Sequence, residues 1–323
     1  MSNALDQAAI SQFRRDGFHY PHAGISAVRA QAARADLEAH EAASGGRLTA
    51  LSPSSRYKLH VKLPWAYAVA SDPAILDAIE SLIGPDILIF TSTMFVKEPQ
   101  TDAVTLWHQD AAYFGLRPHE HVTAWVALSE ASETAGCMTF LTHHGAHHKA
   151  QNGPLRDAPR LLRHKTKAQA NSINGAGQSI VDVFDDRSGV RATLRVGEFS
   201  LHHTLCVHSS PPNASNDRRI GLGISYIPAR VQHIGSVRQR STARNARTRP
   251  GFIWPFRSGT TTRHEHERKQ GGVRTQSATL QQRLRRADGL ARSGPTARRQ
   301  SCLRRLIEKK NASPISGFRF RGR

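Results

Sequence analysis

Acidic residues all but vanish from the last quarter of this chain. Of 323 residues, 45 are Lys or Arg and 25 are Asp or Glu, a formal charge of +20. Residues 1–235 carry 22 basic and 21 acidic side chains, whereas residues 236–323 carry 23 and 4. A charge spread along the whole chain would point to nucleic acid as the partner. This distribution instead describes a near-neutral globular part, long enough for one core, followed by an arginine-rich tail that gives no sign of specific nucleic-acid recognition. The tail includes RQRSTARNARTRPG and QQRLRRADGLARSGPTARRQ. Apart from possible helical spacing over 277–290 and 302–310, it lacks the apolar period that offsets ordering entropy, and disorder is expected. A natural basic arm and a terminus read in a shifted frame of a GC-rich gene would both produce such a break.

Cysteine is scarce too. Cys137, Cys206 and Cys302 make an odd count without paired spacing, which excludes a disulfide framework and leaves reduced, mostly buried thiols. No stretch approaches ~18 uninterrupted apolar residues, so no membrane span is expected. The opening MSNALDQAAISQFRRDG lacks the apolar core of a signal peptide, and a cytoplasmic location is the expectation. No internal repeat is visible.

What remains reads as mainly β with N-terminal helices. Ser2 or Asn3 can cap a first helix ending near Gly17, Ser26 a second running to about Ala43, and Asp72-Pro73 a third that stops at Gly84-Pro85. A helical layer over 1–85 is then followed by a strand-rich region over 86–235. Its strands are expected at about 87–97, 103–110, 122–129, 136–142, 179–185, 190–196, 199–209 and 218–228. Residues 143–178 read as a lid or substrate loop.

One motif carries chemistry. His108, Gln109 and Asp110 are consecutive, and a regular strand puts residues i and i+2 on one face, so His108 and Asp110 can grip one ion together. A second histidine near position 208 completes a two-histidine, one-carboxylate set, which leaves half an octahedron open as non-heme Fe(II) oxygenases require. His202 and His203 compete with His208 for that place. Eleven residues after His208, Arg219 can pair bidentately with a carboxylate. From Arg219 onward, one strand face carries Ile220, Leu222, Ile224 and Tyr226. The other carries Arg219, Gly221, Gly223 and Ser225, a face bare enough for a small anion to lie against the backbone.

The stretches FVKEP, LWHQDAAYFGLRP, AWVALSEASETAGCMTFL, GEFSLHHTLCVHSSPPNASNDRRIG and SYIPARV closely resemble the phytanoyl-CoA dioxygenase family. The resemblance runs from near the N-terminus to about Val231. It implies a double-stranded β-helix, a cupin-like jelly-roll, and a hydroxylase that uses Fe(II), 2-oxoglutarate and dioxygen on a small-molecule substrate such as an acyl-CoA. It places the metal ligands on His108, Asp110 and His208. Arg219 falls on the arginine for the far carboxylate of 2-oxoglutarate, and Ser210 on a supporting hydroxyl. Trp125, Thr93, Lys58 and Gln109 fall in segments near the cosubstrate, although a regular strand points Gln109 away from the metal. Tyr113 and Phe114 lie where a substrate could reach them. Related halogenases replace the metal carboxylate by a small residue, so Asp110 favours hydroxylation. The alternative is an inactive or damaged member whose basic tail binds nucleic acid or acidic surfaces non-specifically.

Overall fold

The computed structural model describes residues 4–143, 159–168, 171–173, 176–182, 185–234, 242–245 and 254–255. They belong to a compact unit spanning Met1–Thr260; the second unit, Thr261–Arg323, lies outside the described residues.

Caps set the N-terminal helices. Helix α1 (Gln7–Asp16) starts at Asp6, whose carboxylate accepts from the Ala9 N–H. It stops at Gly17, whose positive φ turns its own N–H back to Phe13 O. Ser2 and Asn3, the caps expected from the sequence, lie outside the described residues. Strand β1 (Phe18–Ala23) follows without warning in the sequence, because Pro21 interrupts it; it is tolerated because β1 is an edge strand. Helix α2 (Ala27–Ala43) begins at Ser26, which accepts from the Arg29 N–H. Short helices α3 (Leu59–Lys62) and α4 (Pro64–Ala70) precede α5 (Pro73–Ile83), capped by Asp72 with Pro73 in its first turn.

Strands then dominate: β2 (Ile87–Lys97), β3 (Thr105–His108), the one-turn helix α6 (Ala111–Phe114), β4 (Leu116–Arg117), β5 (Val122–Ala127) and β6 (Met138–Leu141). After them come β7 (His164–Ala168), β8 (Ala176–Ile180), β9 (Val190–Ala192), β10 (Glu198–His203), β11 (Val207–Ser210), β12 (Arg219–Pro228), β13 (Gln232–His233), β14 (Thr242–Asn245) and β15 (Trp254–Pro255). The large sheet has the order β1-β10-β5-β12-β2-β14-β15, and a smaller sheet the order β3-β11-β6-β9. All pairings in both are antiparallel. The fold is a double-stranded β-helix with helices on one side.

Strand parity divides the interior. Ile220, Leu222, Ile224 and Tyr226 of β12 join Leu37, Ile75 and Ile79 of the helices in one apolar cluster on the outer face of the large sheet. The opposite face, with Trp125, Phe18 and Phe140, closes against the small sheet. Arg219 and the two histidines sit in that second space.

Four spans differ from those expected. The segment 199–209 is not one strand: β10 belongs to the large sheet and β11 to the small one, and the chain crosses between them through a turn in which Cys206 N–H donates to His203 O at 2.8 Å. No Gly or Pro marks that turn, so sequence periodicity runs straight through it. The strand expected at 179–185 is β8, which ends at Ile180. The expected loop over 143–178 contains β7 and, with β8, forms an antiparallel pair; residues 144–158 lie outside the described residues. Beyond residue 235, β14 pairs with β2 through Arg244↔Ile89 and Asn245↔Leu88, so the large sheet continues past that point.

Candidate metal centre and anion pocket

Among the described residues, one group of side chains is arranged to hold a metal ion: ligand atoms of His108, Asp110 and His208 all lie within 4.8 Å of one another. His108 closes β3 and stands opposite His208 in β11, which brings the two ring centroids to 4.2 Å. Each ring spends Nδ1 on a carbonyl, Leu106 O at 2.7 Å for His108 and Cys206 O at 3.1 Å for His208. These bonds fix the Nδ1–H tautomer and leave both Nε2 lone pairs for a ligand. Burial pushes both imidazoles to lower pKa, so they are neutral, as metal ligands must be.

Asp110 reaches the site by a route that strand alternation does not supply. β3 ends at His108, and Asp110 has helical backbone angles (φ −57, ψ −33) as the residue that opens α6. The helical turn swings its carboxylate back, so that Oδ1 lies 3.7 Å from His108 Nε2 and 3.9 Å from His208 Nε2. Burial alone would raise its pKa. The His202 hydrogen bond and the neighbouring His208 outweigh this and hold the carboxyl well below the usual range.

Arg219 lines the same cavity as His108, Asp110 and His208. It is 1% exposed, and its Nε and one terminal nitrogen are buried without a hydrogen-bond partner. Neighbouring charges are spoken for: Arg218 takes Glu41 and Glu98, and Arg34 takes Asp217. Burial pushes the Arg219 guanidinium down to about 10, still charged at neutral pH. A buried cation without a counter-charge costs several kcal/mol, a cost that a bound carboxylate would offset. Among the described residues its guanidinium meets the ring of Trp125, which lies 5.2 Å from the guanidinium carbon.

That tryptophan corrects the expectation for the bare face of β12. The space above Gly221 is filled by the indole, since an added Cβ would fall 1.8 Å from Trp125 Cζ2, and at Gly223 it would fall 2.8 Å from Phe95. The glycines make room for two aromatic rings, which in turn wall the cavity beside Arg219.

The remaining sequence candidates separate. Ser210, Thr93, Trp125 and Phe114 line the cavity. Tyr113 is 38% exposed and meets the His108 ring edge-on at 5.7 Å. Gln109 is fully buried and committed elsewhere: Nε2 donates to Leu205 O and Arg160 O, and Oε1 accepts from Leu162 N–H. It fastens the chain entering β7 to the turn before β11 and has no group left for a cosubstrate. Lys58 is half-buried at positive φ ahead of α3 and is not among the cavity-lining residues.

Sequence reasoning missed Lys97. It stands directly opposite Arg219 in the β2–β12 pair, is fully buried, and donates through Nζ to Ser210 Oγ at 2.7 Å, Ser210 O at 3.0 Å and Pro211 O. The signal was present in FVKEP, where parity puts Lys97 on the face of Phe95 and Thr93. Burial, with Arg219 as the second cause, pushes its pKa down to about 6. Sign follows from that direction: the unfolded chain holds this proton up to the ordinary lysine range while the folded one releases it near 6, so stability rises with pH between the two. Above the histidines, from pH 7.5 to 9, wild-type unfolding free energy should climb by up to about 1.4 kcal/mol per unit from this group. Denaturant titrations at both pH values should show a flatter response in Lys97→Met.

Residues 13–221 match the family model for phytanoyl-CoA dioxygenase (PhyH). The chain belongs to that family. Curated members of similar sequence include human peroxisomal phytanoyl-CoA dioxygenase, 25% identical over 168 residues, covering 50% of this chain and 46% of that protein. A probable alpha-ketoglutarate-dependent hypophosphite dioxygenase of Stutzerimonas stutzeri is 30% identical over 156 residues, 48% of this chain and 50% of that one. The chain thus spans about half the length of the curated relatives it matches. Among solved structures, the apo form of the non-heme monooxygenase ThoJ superposes with a TM-score of 0.62 at 26% identity, covering 94% of this chain and all of the other.

Proposed function

We propose that this member of the phytanoyl-CoA dioxygenase family is an Fe(II)- and 2-oxoglutarate-dependent dioxygenase that hydroxylates a C–H bond of a small metabolite or acyl-CoA-like substrate. The observation that carries the reading is one cavity with two charge deficits of opposite kind: a neutral-histidine and carboxylate triad within 4.8 Å, and a guanidinium with two buried nitrogens that lack a hydrogen-bond partner. The donor set suits Fe(II), and the orphaned Arg219 nitrogens suit the far carboxylate of 2-oxoglutarate. When bound, iron with 2-oxoglutarate and dioxygen supplies the oxidising chemistry.

The chain's own residues bind and orient. His108, Asp110 and His208 would hold the ion. Arg219 and the Ser210 hydroxyl, itself tethered by Lys97, would receive the carboxylate. Trp125, Phe95 and Phe114 give the cavity apolar walls that exclude water and strengthen each charge interaction inside. Thr93 lines the cavity where it would face the cosubstrate, and Tyr113 with Phe114 would border the substrate. Gln109 and Lys58 act from outside the cavity, by shaping the segments around it. Asp110 keeps a carboxylate among the ligands, which supports hydroxylation. The alternative of an inactive member is the reading that a substrate screen tests against.

Among the described residues no helix is long and apolar enough to cross a membrane. The buried free thiols Cys137 and Cys206 fit a reducing compartment, and we place the protein in the cytoplasm.

The test is formation of succinate from 2-oxoglutarate with Fe(II) present, screened against acyl-CoA thioesters, amino acids and small oxyanions. A substrate should raise succinate formation well above the uncoupled rate and appear as a hydroxylated product in equal amount. No succinate under any condition, from folded protein that binds iron, would argue for the inactive reading.

A further inference from the structure

Asp110 presents its two oxygens to different surroundings. Oδ1 faces the imidazoles of His108 and His208, whereas Oδ2 accepts from Thr123 Oγ1 at 2.9 Å and lies 3.3 Å from Nε2 of His202. An ionised carboxylate has no proton to give, so the single hydroxyl proton of Thr123 points toward it. Thr123 Oγ1 also lies 3.1 Å from Nε2 of His121, and that nitrogen must therefore carry the proton of the bond between them. The other nitrogen of His121 is then an acceptor, and it lies 3.0 Å from the hydroxyl of Thr204. The line Thr204 to His121 to Thr123 to Asp110 runs in one direction, and Thr204, His121 and Thr123 are all at most 5% exposed.

Backbone bonds close the same path. Thr204 N–H donates to His121 O, and Ala111 N–H donates to Thr204 O, both at 3.0 Å. Thr204 lies in the turn between β10 and β11, four residues before His208, so the network couples the segment carrying the carboxylate to the strand carrying the distal histidine. His202, a rival for the third ligand on sequence grounds, has its Nε2 directed at Asp110 Oδ2 and stands outside the triad.

We infer that Thr123 and His202 are positioning residues that hold Oδ2 of Asp110 away from the ion, with His121 fixing Thr123, so that the carboxylate binds through Oδ1 alone. The inference rests on the metal-site reading proposed above. Its consequence is specific. A carboxylate freed to turn would offer both oxygens and fill a position that a two-histidine, one-carboxylate site keeps open.

Co(II) is a suitable probe, because its visible d–d absorption reports coordination number without turnover. Thr123→Val removes the hydroxyl at nearly equal volume, Thr123→Ser keeps it, and Thr123→Val with His202→Phe removes both donors. Wild type should bind Co(II), and His108→Ala should not. The valine variant and the double variant should bind about 10- to 100-fold more weakly, with an altered d–d spectrum, while the serine variant should match wild type in both readouts. Wild-type affinity and spectrum in the double variant would overturn the positioning role alone. So would a serine variant as weak as the valine one, since packing rather than the hydroxyl would then be at stake. A wild type that fails to bind Co(II), or a His108→Ala variant that binds it equally well, would overturn the metal-site reading and this inference with it.

Discussion

Arg219→Ala should weaken 2-oxoglutarate binding by about 2 to 4 kcal/mol, roughly 30- to 1,000-fold, while leaving metal affinity within a few-fold of wild type. The guanidinium is 1% exposed and, among the described residues, two of its nitrogens are buried without a hydrogen-bond partner, so a bound carboxylate would meet it in a low-dielectric cavity rather than in water. Lysine at this position should recover part of the loss, because it restores the charge without the planar fork. Isothermal titration of the Co(II)-loaded protein with 2-oxoglutarate separates the two affinities. An unchanged 2-oxoglutarate affinity in the alanine variant would remove Arg219 from the site.

The second large effect concerns the ion. His208→Ala should lose more than about 100-fold in metal affinity, since even partners one step removed from a metal cost 10- to 100-fold when deleted. His202→Ala should retain the ion at reduced affinity. The contrast follows from geometry: His208 Nε2 lies among the triad's ligand atoms, whereas His202 Nε2 addresses the far oxygen of Asp110. Competitive titration against a metal chelator checks both variants together. The opposite ranking would exchange the two histidines' roles.

Much of the fold was legible because parity is a strong constraint in strands with two buried faces. All ten residues of β12 are buried, yet the sequence alone separates the four that face the helices from the four that face the cavity. The caps at Ser26 and Asp72, and the glycine stops at 17 and 84, were readable for the same local reason. Where reasoning failed, the cause lay in contacts distant in sequence. The change of sheet between β10 and β11 has no turn residue to announce it. The carboxylate of Asp110 converges on the histidines through a one-turn helix, so the expected partnership stands on a geometry different from the strand alternation that suggested it. The glycine-bearing face of β12 reads in the sequence as open to a ligand, but Gly221 accommodates an indole contributed by β5, almost a hundred residues earlier. Lys97 was overlooked because a lysine ending a strand ordinarily reaches solvent; its burial depends on the carbonyls of Ser210 and Pro211, which only the folded chain brings within reach.

The most direct test of the account is an anaerobic titration of the Fe(II)-loaded protein with 2-oxoglutarate, followed by visible absorption. A weak charge-transfer band that saturates at one equivalent, and that is absent in His108→Ala and in His208→Ala, is the predicted result. A wild-type protein that takes up iron but develops no band at saturating 2-oxoglutarate would contradict it.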